Sequence, residues 1–148
     1  MKRITIHCSA TPVTMALDAN VIRRWHLARG WSDIGYHWVI NRDGRIEAGR
    51  SMQRTGAHVR GHNHHNIGVC LVGGVSKQFS PENNFTEAQW DALAQLIVVL
   101  SHCYNIPLAN IKGHRDYDAA KACPCFDVGD FIYARFHPVI RQPEINPS

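Results

Sequence analysis

The run Ile67-Gly68-Val69-Cys70-Leu71-Val72 constrains this chain more than any other segment. It is apolar throughout, too short for a typical helix, and closed by Gly73-Gly74, so it reads as a central strand. A central strand needs sheet neighbours and covering helices, and the flanking sequence offers both. Ile4 and Ile6 alternate with Thr5 and His7, the signature of a half-buried strand that delivers His7 to its end, ahead of the loop Ser9-Ala10-Thr11-Pro12. Tyr36 to Ile40 reads as another strand, Asn41-Arg42-Asp43-Gly44 as a hairpin turn, and Arg45 to Ala48 as the return strand. Ile111 begins a short strand or turn leading to His114.

Helix signals separate these strands. Asp18 can cap a helix that runs to Arg29 and stops at Gly30, with Val21, Ile22, Trp25 and Ala28 as its apolar positions. Thr86-Glu87-Ala88-Gln89 is a capping box, opening a helix to about Tyr104 whose core face is Trp90, Leu93, Ala94, Ile97, Val98 and Leu100. Asp127 can cap a last helix to about Phe136. The expected fold is α/β, a single domain (1–137) with a central mixed β-sheet flanked by helices, followed by a loosely attached tail over 138–148.

At 148 residues the chain fits one domain. Sixteen basic against twelve acidic side chains give +4, a mild bias that suits an anionic partner such as nucleic acid or acidic cell-wall polymer, or simply a solvated surface. Five cysteines cannot all pair within one chain and are too few for a disulfide scaffold, which points to synthesis in a reducing compartment. The basic start is not followed by an apolar signal region, and the longest apolar stretch, Leu96 to Leu100, is far too short to span a membrane.

Ten histidines are an excess for this length and a first hint of metal chemistry. His114 and Cys123 bracket a single loop and offer an imidazole and a thiolate, the ligand types zinc takes. A third ligand has to come from elsewhere: His7 is one candidate, and the cluster His62-Asn63-His64-His65 is equally attractive by composition. Spacing alone leaves the two open. His37 follows Tyr36 on a strand and so faces the opposite side, a packing or supporting position. Cys8 points away from His7 and reads as buried, Cys103 as a small core residue, and Trp25, Trp31, Trp38 and Trp90 as core rather than sugar-stacking platforms.

Several stretches in order match a known family: His7-Cys8-Ser9-Ala10, Gly35-Tyr36-His37, Arg42-Asp43-Gly44 with Glu47-Ala48-Gly49-Arg50, Asn66 to Gly74, and Lys121-Ala122-Cys123-Pro124. Over about Ile4 to Phe131 the chain resembles the phage-lysozyme type of N-acetylmuramoyl-L-alanine amidase, in the superfamily that includes peptidoglycan-recognition proteins. The resemblance implies that fold, and a Zn2+ ion held by His7, His114 and Cys123, with Tyr36 and Lys121 as catalytic residues. It places His58 on the cleft rim, with Asn63 and His64 in the following loop, as substrate-binding positions. It implies a peptidoglycan muropeptide substrate, no nucleic-acid partner, no membrane insertion and a monomer, with an unidentified protein partner left open. An enzyme of this kind is made in the host cytoplasm and reaches the wall through a separate holin.

Three departures stand out. The His114–Cys123 loop is one residue longer than in similar sequences, which bears on where Lys121 sits. Cys70 replaces a glutamate common in the superfamily. Cys125 stands where a small polar residue is usual, as a buried or bystander thiol, an oxidation partner for Cys123, or the ligand in place of Cys123. Two competing readings follow: a non-catalytic peptidoglycan-binding module, and a basic regulatory protein with structural zinc, which would need Cys125 as fourth ligand. Arg50, Arg54, Arg60 and Arg115 are candidate contacts for stem-peptide carboxylates, against the plainer expectation of solvated charge.

Overall fold

The structure, a computed structural model, describes residues 1–140. Its centre is β5 (Asn66–Leu71), buried at all six positions. β1 (Arg3–Cys8) pairs with it in parallel along its whole length, Arg3 opposite Asn66 and His7 opposite Cys70. β7 (Ile111–Gly113) adds in parallel beyond β1. On the other side β3 (Trp38–Ile40) runs parallel to β5, and β4 (Ile46–Ala48) closes that edge antiparallel to β3. The order β4-β3-β5-β1-β7 is the expected mixed sheet. Two short strands, β2 (Thr11–Pro12) and β6 (Gly74–Val75), pair in parallel where the chains leaving β1 and β5 run on together.

Alternation along the strands sorts side chains to two faces. Ile4, Ile6, Ile67, Val69 and Leu71 pack with Leu93, Ile97 and Leu100 of α2 (Glu87–Tyr104) and Val128 of α3 (Val128–Ile140). Val39 and Cys70 turn the other way, toward Ala19 and Ile22 of α1 (Ala19–Ala28). Thr5 and His7, out of phase with Ile4 and Ile6, are thereby delivered to the α1 face. Buried Gln89 ties α2 to the sheet: its amide donates to the carbonyls of Ile40 and Val72 while its oxygen accepts from Thr86 N–H as half of the capping box.

The caps at Asp18, Thr86 and Asp127 form as expected: Asp18 accepts from Val21 N–H at 2.9 Å, Thr86 from Gln89 N–H at 3.1 Å and Asp127 from Asp130 N–H at 2.7 Å. Several boundaries and burials differ. Regular strand begins at Trp38 rather than Tyr36, although His37 still donates to Gly68 O, and the return strand begins at Ile46. α1 buries Ala19, Ile22 and His26, leaving Trp25 39% exposed; the polar ring is affordable inside because Gly35 N–H donates to its Nδ1 at 2.9 Å. Trp31 is 37% exposed, whereas Trp38 and Trp90 pack against the core. Val98 and Cys103 lie on the outer side of α2, because only one face of that helix meets the sheet. α3 runs past Phe136 through residues 138–140; the remainder of the expected tail lies outside the described residues.

Candidate metal centre and cleft

His7 lies one residue before the end of β1, on the α1 face, and is 1% exposed. β7, in register beside β1, hands the chain to a short 3-10 turn beginning at His114, whose ring lies 4.7 Å from that of His7. The loop beyond folds back on itself: Asp118 N–H donates to His114 O, Lys121 N–H to Asp118 O, and Arg115 N–H to Cys123 O at 2.8 Å. That closure returns Cys123 to His114. The ligand atoms of His7, His114 and Cys123 all lie within 4.8 Å of one another, the one such group of three among the described residues. The cluster His62 to His65 forms no such group.

The donor set fits zinc. Bond lengths of about 2.05 Å to nitrogen and 2.3 Å to sulfur in a tetrahedron put the two atoms about 3.6 Å apart, and His7 Nδ1 lies 3.8 Å from Cys123 Sγ. The tautomers are fixed from behind. Asn66 O can only accept, so His58 Nε2, 3.0 Å away, carries a proton. Burial pushes His58 down to about 4, so at neutral pH its Nδ1 is a lone pair. His7 Nε2, 2.9 Å from that Nδ1, must therefore be the donor, leaving His7 Nδ1 free to ligate. Burial also holds His7 well below the ordinary histidine range, with His58 and His114 adding to the effect, and burial lowers His114 too. Gly68 makes the relay possible: a Cβ there would stand 2.7 Å from the His58 ring. Cys123 Sγ accepts the Cys8 backbone N–H at 3.2 Å.

His114 opens onto a cleft of about 510 Å³, walled by Trp31, His58, Asn63, Tyr117 and Lys121. A larger apolar groove along Val98, Val99 and Phe136 lacks histidine and cysteine and lies across the sheet, so chemistry favours the cleft. Tyr36 sits with its ring 5.1 Å from His7, and burial raises its hydroxyl pKa well above the ordinary value. It keeps its proton and is a donor, not a base. Asn63 Oδ1 is committed to the backbone N–H groups of His58 and Val59, 2.8 Å each, so it shapes the wall. His64 lies outside the cleft: its ring lies 3.8 Å from that of His65, tilted against it, and its carbonyl accepts from Arg3. His37 is locked behind the site, accepting from Gly68 N–H and donating to Arg54 O.

Of the arginines, Arg50 is buried among the carbonyls of Asp33, Ile34 and Thr55, Arg54 bonds Ser32, and Arg115 faces Asp127. Arg60 lines the cleft. Cys125 stays out of the ligand group; its Sγ donates to Gly74 O at 3.2 Å and lies 3.9 Å from Cys8 Sγ. The bond to Cys123 pushes the Cys8 thiol up to about 12, and Cys8 in turn raises Cys125. The positioning role of His58, the Cys8 N–H bond and the wall residues Trp31 and Tyr117 were not evident from sequence, because each depends on contacts between distant segments.

A family model described as N-acetylmuramoyl-L-alanine amidase matches residues 1–126. The chain is 48% identical over 126 residues to the endolysin of Klebsiella phage KP32, covering 85% of this chain and 82% of that protein. It is 45% identical over 125 residues to the endolysin of Escherichia phage T7, covering 84% and 81%. Among solved structures it is similar to N-acetylmuramoyl-L-alanine amidase LysC from Clostridium intestinale URNW, with a TM-score of 0.78, 28% identity, and 92% and 85% of the two chains covered. Matched by that family model over residues 1–126 and similar to these endolysins over most of its length, the chain belongs to the N-acetylmuramoyl-L-alanine amidase family.

Proposed function

We propose that this chain is a zinc-dependent N-acetylmuramoyl-L-alanine amidase of the endolysin type, hydrolysing the amide between the lactyl group of muramic acid and L-alanine in peptidoglycan. The observation that carries the reading is the convergence of three ligand atoms from β1, the His114 turn and the Cys123 loop beside a polar cleft, in a member of this family. Two imidazoles and one thiolate make an open three-ligand set, the pattern of catalytic rather than structural zinc. Bound zinc supplies Lewis acidity, which lowers the pKa of water to about 7 and polarises a carbonyl.

The chain's own residues do the rest. His58 is a positioning residue that holds the His7 tautomer. Tyr36 orients a reacting oxygen through its retained proton. Lys121 presents an exposed ammonium on the cleft beside His114, where it can donate to the developing oxyanion. Asn63 holds the wall in shape, and Arg60 on the same wall is placed for a stem-peptide carboxylate. The enzyme acts as a monomer on the wall after release through a holin; among the described residues no helix is long and apolar enough to cross a membrane.

The test is solubilisation of purified peptidoglycan by native, chelator-stripped and zinc-restored protein, with metal content measured alongside. Activity lost on stripping and regained at one zinc per chain is expected. Activity indifferent to stripping would overturn the metal assignment.

A further inference from the structure

We propose that Cys8 and Cys125 form a disulfide when the folded, zinc-loaded protein meets a disulfide oxidant, stapling the Cys123 loop onto β1. The two sulfurs already face each other at 3.9 Å, although 117 positions separate them in sequence. A disulfide needs about 2.05 Å, so they have to close by about 1.9 Å, within reach of side-chain rotation. The surroundings leave room for the pair. Gly74 has no Cβ; one placed there would lie 2.6 Å from Cys8 Sγ. Cys125 holds the left-handed backbone conformation at φ 72°, and its Sγ rests on Gly74 O at 3.2 Å beside Cys8. Neither thiol has a part in the hydrolytic reading above.

The other cysteines are poorer partners. Cys70 is fully buried on β5, and Cys103 lies exposed on α2. Cys123 also approaches Cys8, but with zinc bound its sulfur is engaged as a ligand. The metal thus directs oxidation to the Cys8–Cys125 pair. Cys125 is partly exposed and Cys8 is buried, which sets the order of events. The Cys125 sulfur attacks oxidised glutathione, its S–S bond breaks, and one glutathione leaves as thiol. Cys8 Sγ then attacks Cys125 Sγ in the mixed disulfide and expels the second glutathione thiol. Two protein thiols give up two electrons and two protons, and one disulfide oxidant becomes two thiols.

The consequence falls on the metal site. Cys8 follows His7 directly, and Cys125 lies two residues beyond Cys123, so the bond fixes the spacing between two segments that supply ligands. It also closes a loop of over a hundred residues, constraining the unfolded chain strongly. The biological occasion, arrival on the oxidising side of a bacterial inner membrane, rests on the peptidoglycan reading. The sulfur chemistry does not, and its readouts are thiols, mass and zinc rather than wall digestion.

The experiment incubates the zinc-loaded full chain for hours with oxidised glutathione. Thiols are then counted in denaturant with chelator, and peptides are mapped without reduction. The expected result is loss of the Cys8 and Cys125 thiols without added glutathione mass, with any glutathione on the exposed Cys103 read separately by its mass gain. Fragmentation between Cys123 and Cys125 should place the cross-link on Cys8–Cys125. Zinc should stay at one per chain, and the melting temperature should rise by roughly 5–10 °C. Cys8→Ser should stop at a Cys125–glutathione mixed disulfide, and Cys125→Ser should form no internal cross-link on the same treatment. Five thiols retained, or a cross-link to Cys123 with zinc released, would overturn the proposal.

Discussion

Replacing His58 by leucine tests the relay behind the metal site. In the parent, His7 Nε2–H donates to His58 Nδ1 at 2.9 Å, with His7 only 1% and His58 9% exposed. Leucine is close to histidine in volume and keeps the space beside Gly68 filled, but it offers no acceptor. The His7 N–H is then buried without a partner, which costs about 1–3 kcal/mol. The ring escapes that cost by rotating or by moving its proton to Nδ1, and both remove the lone pair that faces Cys123. Loss of such a supporting bond lowers metal affinity by roughly 10–100-fold, or about 1.4–2.7 kcal/mol. Competition against a chromophoric chelator measures the affinity, with circular dichroism and melting of the metal-free protein as the check on folding. His58→Gln, whose amide oxygen can accept the same proton, should recover part of the loss. A folded His58→Leu protein that binds zinc within about twofold of the parent would refute the relay.

Other outcomes follow from the same geometry. Lys121→Ala should keep zinc bound while slowing turnover by roughly 10²–10³, the scale of one lost oxyanion donor; an unchanged rate in single-turnover assays would remove Lys121 from the chemistry. Cys123→Ser should weaken zinc binding and abolish peptidoglycan hydrolysis, whereas zinc retained with full activity would point to a different sulfur ligand. Burial, followed by the charges of Arg29 and Arg50, lowers His26 to about 4. Between that value and the ordinary histidine pKa of about 6.5 the unfolded chain binds the proton that the folded one refuses, so stability falls as pH drops through this window and levels off below it. The shift is worth up to about 3 kcal/mol, reduced to roughly 2 by hydration from the groove His26 lines. Denaturant melts of the metal-free protein should show a shallower acid limb in His26→Gln, and an identical limb would contradict the assignment.

Elements set by local hydrogen bonding were readable in the sequence. Asp18 and Thr86 cap their helices because the acceptor and the free N–H lie three residues apart, and Gly30 takes φ +86 where the expected helix stop lies. The buried run at β5 and the Ile4-Ile6 alternation placed His7 for the same reason: a period of two needs no tertiary knowledge. Burial on α1 was misjudged because hydropathy ranks Trp25 above His26, and only Gly35, nine residues on, makes the polar ring acceptable inside. The choice between His7 and the His62–His65 cluster was open in the residues alone and came from family resemblance. It becomes a matter of geometry only when β7 sets His114 beside β1. His64 fell outside the cleft for a similar reason, since its carbonyl is taken by Arg3 at the opposite end of β1.

The bond that is cut is the most direct test of the account. Purified peptidoglycan digested by the zinc-loaded protein should release stem peptides bearing a free N-terminal L-alanine, leaving glycan strands intact with free lactyl carboxyl groups, as read by mass spectrometry. Shortened glycans, peptides cut within the stem, or wall that is bound without any release would contradict it.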